Sequence, residues 1–153
     1  MVEQYGDEYW MQQAIEQARL AEEQDEVPVG AIIVKDNQII GKGHNLVISN
    51  HDSSAHAEIQ AIRDAGKSIA NYRIINSTLY VTLEPCMMCV GAIVHARISK
   101  IVFAAYDPKT GMAGTQDNCF SKPYHNHQVT VVGGILDKEC ADFLREFFKK
   151  KRN

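Results

Sequence analysis

Two short motifs carry the side chains in this sequence that could do metal or thiol chemistry. The first is His56-Ala57-Glu58, and the second is Pro85-Cys86-Met87-Met88-Cys89. Two cysteines that are separated by two residues are typical of a dithiol redox centre, of half a structural zinc site, or of two ligands of a catalytic zinc ion. The cysteine pair alone does not choose between these three kinds of site.

The number of ligands favours a catalytic zinc ion. His56, Cys86 and Cys89 would supply one imidazole and two thiolates, which leaves the fourth tetrahedral position open, whereas a structural site needs a fourth protein ligand. The other histidines and cysteines considered as a fourth ligand do not repeat this tight spacing; they are His44, His95, Cys119 and Cys140. Cys140 falls on an apolar helical stripe, where we predict a buried core residue.

Glu58 is the candidate for the acid and base chemistry of such a site. Two thiolates cancel the charge of Zn2+, so the metal is a weaker Lewis acid than in an all-histidine site. A carboxylate that lies beside the metal without binding it can take a proton from water and deliver it to a substrate. We therefore predict that Glu58 is a proton shuttle.

Hydrophobic periodicity and turn residues predict the elements that position both motifs. Helices are predicted over residues 7–24, 55–66, 85–95 and 137–150, with Asp7 capping the first and Pro85 opening the third. Strands are predicted over residues 30–34, 39–43, 78–83, 98–105 and 128–132, the first two joined as a hairpin through Asp36-Asn37. This order predicts one mixed sheet with helices on both faces. The long loop 107–127 is expected to be functional.

Each motif thus opens a helix, and this has an electrostatic consequence. The N-terminus of a helix carries free N–H groups and the positive end of the helix dipole, both of which stabilise thiolates. His56 and Glu58 are two residues apart, so they can share a site only beyond the helix end. We expect two helix N-termini to meet at one point.

Length and composition limit the class of protein. A chain of 153 residues, 45% of them hydrophobic, is expected to form a single domain over residues 1–153. Four cysteines and no apparent signal or membrane-spanning segment favour a soluble protein of the reducing cytoplasm. The net charge of −3 is not typical of nucleic-acid binding, although Lys149-Lys150-Lys151-Arg152 forms a local basic run.

The ordered combination of the two motifs resembles the zinc-dependent nucleoside and nucleobase deaminases. Within them, almost the whole chain resembles the bacterial tRNA-specific adenosine deaminases, as in Val27-Pro28-Val29-Gly30-Ala31, Gly43-His44-Asn45 and Lys109-Thr110-Gly111-Met112-Ala113-Gly114. The resemblance implies a three-layer α/β/α cytidine-deaminase-like fold with a mixed five-stranded sheet, one Zn2+ per subunit and a homodimer. It also implies hydrolytic deamination of the wobble adenosine of a tRNA anticodon loop to inosine, with release of ammonia.

The resemblance assigns roles to individual residues. His56, Cys86 and Cys89 match the zinc ligands of the family, and Glu58 matches its proton shuttle. The positions that match substrate-binding residues are Asn45, Val29, Ala57, Asp107 and Phe148. The basic run beside Phe148 is accordingly expected to contact RNA, where binding energy offsets the cost of flipping a base out of its stack.

Three other functions remain open from the sequence. A free-base deaminase that acts on guanine or cytosine would use the same zinc machinery, because the core motifs specify chemistry and not substrate. A structural zinc module would make Glu58 dispensable and would hold its metal with four protein ligands. A dithiol oxidoreductase would instead cycle between dithiol and disulfide without a metal.

Overall fold

The computed structural model describes residues 5–152, whose five strands form one mixed sheet. The strands are β1 Gly30–Lys35, β2 Gln38–His44, β3 Thr78–Leu83, β4 Lys100–Ala105 and β5 Thr130–Gly133. The helices are α1 Asp7–Glu23, α2 Ala57–Ile69, α3 Met87–His95 and α4 Asp137–Arg152, with a short 3-10 helix at Cys119–Ser121. Within residues 5–152, every helix is too short or too polar to cross a membrane.

The sheet has the order β2-β1-β3-β4-β5. β1 runs antiparallel to both β2 and β3, whereas β3, β4 and β5 are parallel to one another. In this arrangement β2, β3 and β4 end, and β1 begins, at the same edge of the sheet. In sheets of this kind, ligands bind beyond the carboxyl ends of the parallel strands.

The two faces of the sheet bury separate cores, because side chains alternate between the faces along each strand. Ile33, Leu79 and Phe103 face one core, which the apolar sides of α2 and α3 cover. Ile32 and Val102 face the other core, which α1 and α4 cover. The predicted mixed sheet with helices on both faces is therefore confirmed.

Two glycines let α2 lie very close to β2. A Cβ atom on Gly41 would lie 2.5 Å from the carbonyl oxygen of Ala61, and one on Gly43 would lie 2.4 Å from that of Ala57. Both distances are shorter than any van der Waals contact, so only glycine fits at these positions. The close approach fixes the height of α2 above the sheet and places its first turn beside the end of β2.

The predicted hairpin agrees with the structure and all five predicted strands are present, but β4 and β5 each begin two residues later than predicted, and several helix ends also differ. Asp36 and Asn37 both have positive φ angles, 52° and 61°, as a tight two-residue hairpin turn requires. The prediction that Asp7 caps α1 is wrong, because Gly6 is the N-cap and the Asp7 carboxylate accepts a 2.8 Å hydrogen bond from the Tyr80 hydroxyl. Pro85 does not open α3 either, because Cys86 is the N-cap and the helix begins at Met87.

The predicted start of the second helix is two residues too early, and its predicted end is three residues too early. It begins at Ala57, continues through Gly66 to Ile69, and stops where Ala70 adopts a left-handed conformation with φ of 54°. Gly66 therefore lies inside the helix. A Cβ atom at this position would contact only the Asn71 carbonyl oxygen, at 3.4 Å, so the packing there does not require glycine.

Replacing Gly41 by alanine should destabilise the protein, because its Cβ would overlap the backbone of α2. Overpacking of this kind costs about 1–3 kcal/mol or more in the free energy of unfolding. Gly91→Ala is the matched control, since Gly91 lies inside α3 with open space around its Cβ position. That change should leave stability unchanged or raise it by about 0.5–1 kcal/mol through helix propensity. Urea unfolding measures both variants, and equal stabilities would contradict the close approach of α2.

Candidate active site

His56, Cys86 and Cys89 meet at the edge where β3 ends. The Nδ1 atom of His56 lies 3.6 Å from the Cys86 sulfur and 3.5 Å from the Cys89 sulfur. All three ligand atoms lie within 4.8 Å of one another, which is the spacing of donors around one small metal ion. Within residues 5–152 no second set of three such donors lies as close together.

The start of each helix explains this meeting. His56 is the N-cap of α2 and Cys86 is the N-cap of α3, and both have an extended backbone that turns the side chain beyond the helix end. Cys89 lies in the first turn of α3 and is buried. The expected convergence of two helix N-termini is therefore present, with the positive ends of both dipoles directed at the thiols.

Contacts among His56, Cys86 and Cys89 shift the pKa of all three side chains. A hydrogen bond from Cys89, supported by His56, holds the pKa of Cys86 at about 4, although burial acts in the opposite direction. The hydrogen bond to Cys86 raises the pKa of His56, against the effect of burial. The same contact with Cys86, together with burial, raises the pKa of Cys89. A stabilised thiolate is the form of cysteine that binds zinc.

Glu58 lies beside the group, with only 4% of its surface exposed. Burial raises the pKa of Glu58 to about 7, although a hydrogen bond from its own backbone N–H and the charge of His56 act to lower it. A carboxyl group that titrates near neutral pH can both accept and release a proton, as a proton shuttle must.

A cavity of about 220 Å3 opens at this point. Its lining residues come from both helix starts and from the ends of neighbouring strands: Val27, Val29, Asn45, His56, Ala57, Glu58, Leu83, Glu84, Cys86, Asp107 and Thr110. Pockets for drug-sized ligands are about 300–1,000 Å3, so this one suits a single small ring system.

Most of the residues predicted to bind a substrate lie in this cavity. Asn45 is buried, with its side-chain NH2 donating to the Val27 carbonyl at 3.3 Å and its Oδ1 accepting from the Val47 N–H at 3.4 Å. These two contacts fix the orientation of the Asn45 amide. Val29 and Ala57 supply apolar surface to the same wall.

Asp107 and Phe148 have different surroundings. The Asp107 carboxylate lines the cavity but accepts hydrogen bonds from its own loop, at 3.0 Å from the Lys109 N–H and 2.9 Å from the Thr110 hydroxyl. Phe148 lies on α4, is 44% exposed, and does not line the cavity. The structure thus brings Asn45, Val29, Ala57 and Asp107 together but leaves Phe148 outside.

Four further residues line the cavity although the sequence predicts no role for them; they are Val27, Leu83, Glu84 and Thr110. Glu84 is the most notable of them, because it is a buried acidic residue that directly precedes Pro85 and Cys86. The sequence feature that could have indicated this residue is an acidic side chain directly after an apolar strand.

The other histidines and cysteines considered as ligands lie elsewhere. Cys140 is buried in the core between the sheet and α1 and α4, as predicted. Cys119 packs against the opposite core, and His44 contacts the Gln24 side-chain oxygen at 2.9 Å through its Nε2. His95 is the last residue of α3.

Comparison with known proteins gives close relatives over nearly the whole chain. The MafB19-like deaminase family model matches residues 5–152. A tRNA-specific adenosine deaminase of Haemophilus influenzae is 51% identical, covering 95% of this chain and 85% of that protein. The tRNA-specific adenosine deaminase of Bacillus subtilis is 47% identical, covering 95% of this chain and 91% of the relative.

Solved structures agree in fold. One from a study of A-to-I editing by tRNA:A34 deaminases at the wobble position of transfer RNA has a TM-score of 0.84 and 40% identity, covering 88% of this chain and 97% of the other. A guanine deaminase from Bacillus subtilis has a TM-score of 0.65 and 32% identity, covering 93% of this chain and 94% of the other.

If this group holds a zinc ion, replacing Cys89 by alanine should abolish tight binding of the metal, because only His56 and Cys86 would remain as donors. The purified protein should carry one zinc ion per chain, and the variant close to none, by elemental analysis. Cys119→Ala is the matched control, since it removes a free cysteine outside the group. Loss of zinc in the control, or its retention in the Cys89 variant, would contradict this ligand set.

Proposed function

The chain belongs to the tRNA-specific adenosine deaminases, and we propose that it converts the wobble adenosine of a tRNA anticodon loop to inosine by hydrolytic deamination, with release of ammonia. The observation that carries this function is a donor group of one imidazole and two sulfurs, with a buried glutamate beside it, open to one small cavity. The whole chain would act as a single deaminase domain.

We infer that His56, Cys86 and Cys89 hold one zinc ion. One imidazole and two thiolates are a donor set that zinc prefers, and three protein ligands leave a position for reaction chemistry. A zinc ion held there would supply Lewis acidity for the attack of water on the ring carbon that bears the amino group.

Glu58 would move the protons of the reaction. Its carboxylate takes the proton that the attacking water loses and gives it to a ring nitrogen of the adenine. It would later take the remaining proton from the hydroxyl group added to the ring carbon and give it to the amino group, which leaves as ammonia while the carbonyl group of inosine forms. Two features support this role: Glu58 is buried in the first turn of α2, and it lines the cavity next to His56. Its burial also keeps bulk water away from the transferred proton.

The remaining wall of the cavity would hold the flipped base. Asn45 is oriented by contacts with Val27 and Val47 and can still form hydrogen bonds with the base or its ribose. Val29 and the backbone of Ala57 would contact the ring. Asp107, whose loop closes the cavity, would lie near the nucleotide that precedes the target.

The end of α4 is the proposed contact with the RNA backbone. Lys149, Lys150 and Arg152 are exposed, and Phe148 is exposed beside them. Lys151 forms an ion pair with Asp25, which precedes the cavity residue Val27 by two positions. Two residues span at most about 7 Å, so this ion pair joins the basic end of α4 to the segment that leads into the cavity wall. This local positive charge would offset the negative net charge of the protein.

A guanine deaminase is the second function to consider, because the Bacillus subtilis enzyme shares the fold at 32% identity. It is less supported, since the tRNA-specific relatives reach 51% identity and the tRNA:A34 deaminase structure a TM-score of 0.84. The homodimer and the cytoplasmic location remain predictions. Met87 and Met88 are exposed on the first turn of α3, and such apolar surface would suit a subunit interface.

The substrate is tested by presenting the zinc-loaded protein with four molecules separately. These are an anticodon stem-loop with a wobble adenosine, the same stem-loop with the adenosine moved by one position, free guanine, and free cytosine. Inosine should form only in the first, because positioning of the flipped base depends on the flanking RNA. Turnover of a free base alone would keep the zinc chemistry and overturn the RNA substrate.

Glu58→Gln provides the control for the active site in this assay. The amide keeps the shape of the side chain but cannot carry a proton, so the rate should fall by about 10²–10⁴-fold. The zinc content should remain at the wild-type value. A variant that still converts the stem-loop at the wild-type rate would exclude Glu58 as the proton shuttle.

The double variant Lys149→Ala/Lys150→Ala should bind the anticodon stem-loop more weakly and with a smaller dependence on salt. Each lost phosphate contact reduces the slope of log Kd against log salt by about 0.7–0.9, so the two together should reduce it by about 1–2. Lys138→Ala at the other end of α4 is the comparison, since Lys138 is exposed but distant from the basic run. Unchanged affinity in the double variant would remove the end of α4 from the interface.

A further inference from the structure

The buried carboxylate of Glu84 has no role in the proposed chemistry. It follows the last residue of β3, is 3% exposed, and lines the cavity two residues before Cys86. A buried acidic side chain is costly unless its oxygen atoms accept several hydrogen bonds. The partners of Glu84 therefore indicate what it does.

All four hydrogen bonds to the Glu84 carboxylate come from one segment, residues 107–115, which we call the wall loop. Oε1 accepts from the Asp107 N–H at 3.0 Å and from the Thr115 hydroxyl. Oε2 accepts from the N–H groups of Ala113 at 3.0 Å and Thr115 at 3.1 Å. Each oxygen thus binds two donors, and the donors span both ends of the wall loop.

The wall loop also packs directly against this carboxylate. A Cβ atom on Gly111 would lie 2.3 Å from Oε1 of Glu84, so the backbone of the loop touches the acid where only glycine fits. The Met112 N–H adds a 2.9 Å hydrogen bond to the Pro85 carbonyl. The loop is consequently wrapped around the residues that join β3 to α3.

The wall loop provides one side of the cavity through Asp107 and Thr110. Hydrogen bonds between these two residues stabilise the turn itself. One of them runs from the Thr110 N–H to Asp107 Oδ1, at 3.2 Å. The bonds to Glu84 hold that turn against the end of β3. Loss of these bonds would leave the turn intact but let it move relative to Asn45 and Glu58.

We propose that Glu84 is a positioning residue that holds the wall loop across the substrate cavity, so that it determines how tightly the target nucleotide is bound. This inference rests on the proposed function for the identity of the substrate. Glu84 touches no reacting atom; it acts through Asp107 and Thr110. Its removal should therefore change KM far more than kcat, and should leave the zinc ligands in place.

The test compares Glu84→Gln, Thr115→Val and Thr115→Ser with the wild type, all loaded with zinc. The amide in Glu84→Gln turns one acceptor into a donor that faces N–H groups, and leaving buried donors unpaired should raise KM for the stem-loop by roughly tenfold. Thr115→Val removes one donor and should raise KM by roughly threefold. Thr115→Ser keeps the hydroxyl and should restore the wild-type KM. In all of them kcat should stay within about twofold and zinc at one ion per chain.

Unchanged KM in both Glu84→Gln and Thr115→Val would overturn the proposal, as would a fall in kcat or zinc content with KM unchanged. If Glu84→Gln does not fold, the two Thr115 variants decide the outcome alone. Hydrogen exchange without any substrate separates this result from the proposed function. The amides of Asp107, Ala113 and Thr115 should exchange roughly tenfold faster in Glu84→Gln, whatever molecule the wild type deaminates.

Discussion

The functional site depends on two helices that begin at the same edge of one sheet. His56 and Cys86 can meet only because each is the N-cap of its helix and because glycines in β2 let α2 lie against the sheet. The same arrangement concentrates unpaired N–H groups and the positive ends of two dipoles around the sulfur atoms. These fields offset part of the cost of burying thiolate and carboxylate charge, so the geometry and the electrostatics of the site have one structural origin.

The sequence predicted the fold well where local patterns are strong. The apolar run 78–83 is bounded by polar residues, and β3 has these limits in the structure. The starts of α2 and α3 were predicted too early because His56 and Cys86 are the N-caps, and neither residue type is among those that usually cap a helix. The glycine at position 66 predicts a helix end, but α2 continues to Ile69.

The candidate site was predictable as far as spacing and residue type carry the information. The two motifs predicted that His56, Cys86 and Cys89 lie together with Glu58 beside them, and four of the five positions predicted to bind a substrate line the cavity. Phe147 and Phe148 show where sequence patterns stop being informative. Periodicity could not predict which of the two is buried, and the structure buries Phe147 and exposes Phe148. The role of Glu84 was also beyond the sequence, because its partners lie 23–31 residues further along the chain.

The hairpin turn at Asp36 and Asn37 has a practical consequence. β1 begins at the edge of the sheet that bears the cavity and ends at this turn, so the turn lies at the opposite edge. Six residues of strand place it about 20 Å from the cavity. A fluorescent dye attached at Asp36 would accordingly label the protein far from the cavity, and a tether at the same position would immobilise it on a surface. In both cases the mouth of the cavity would stay open to a large polynucleotide.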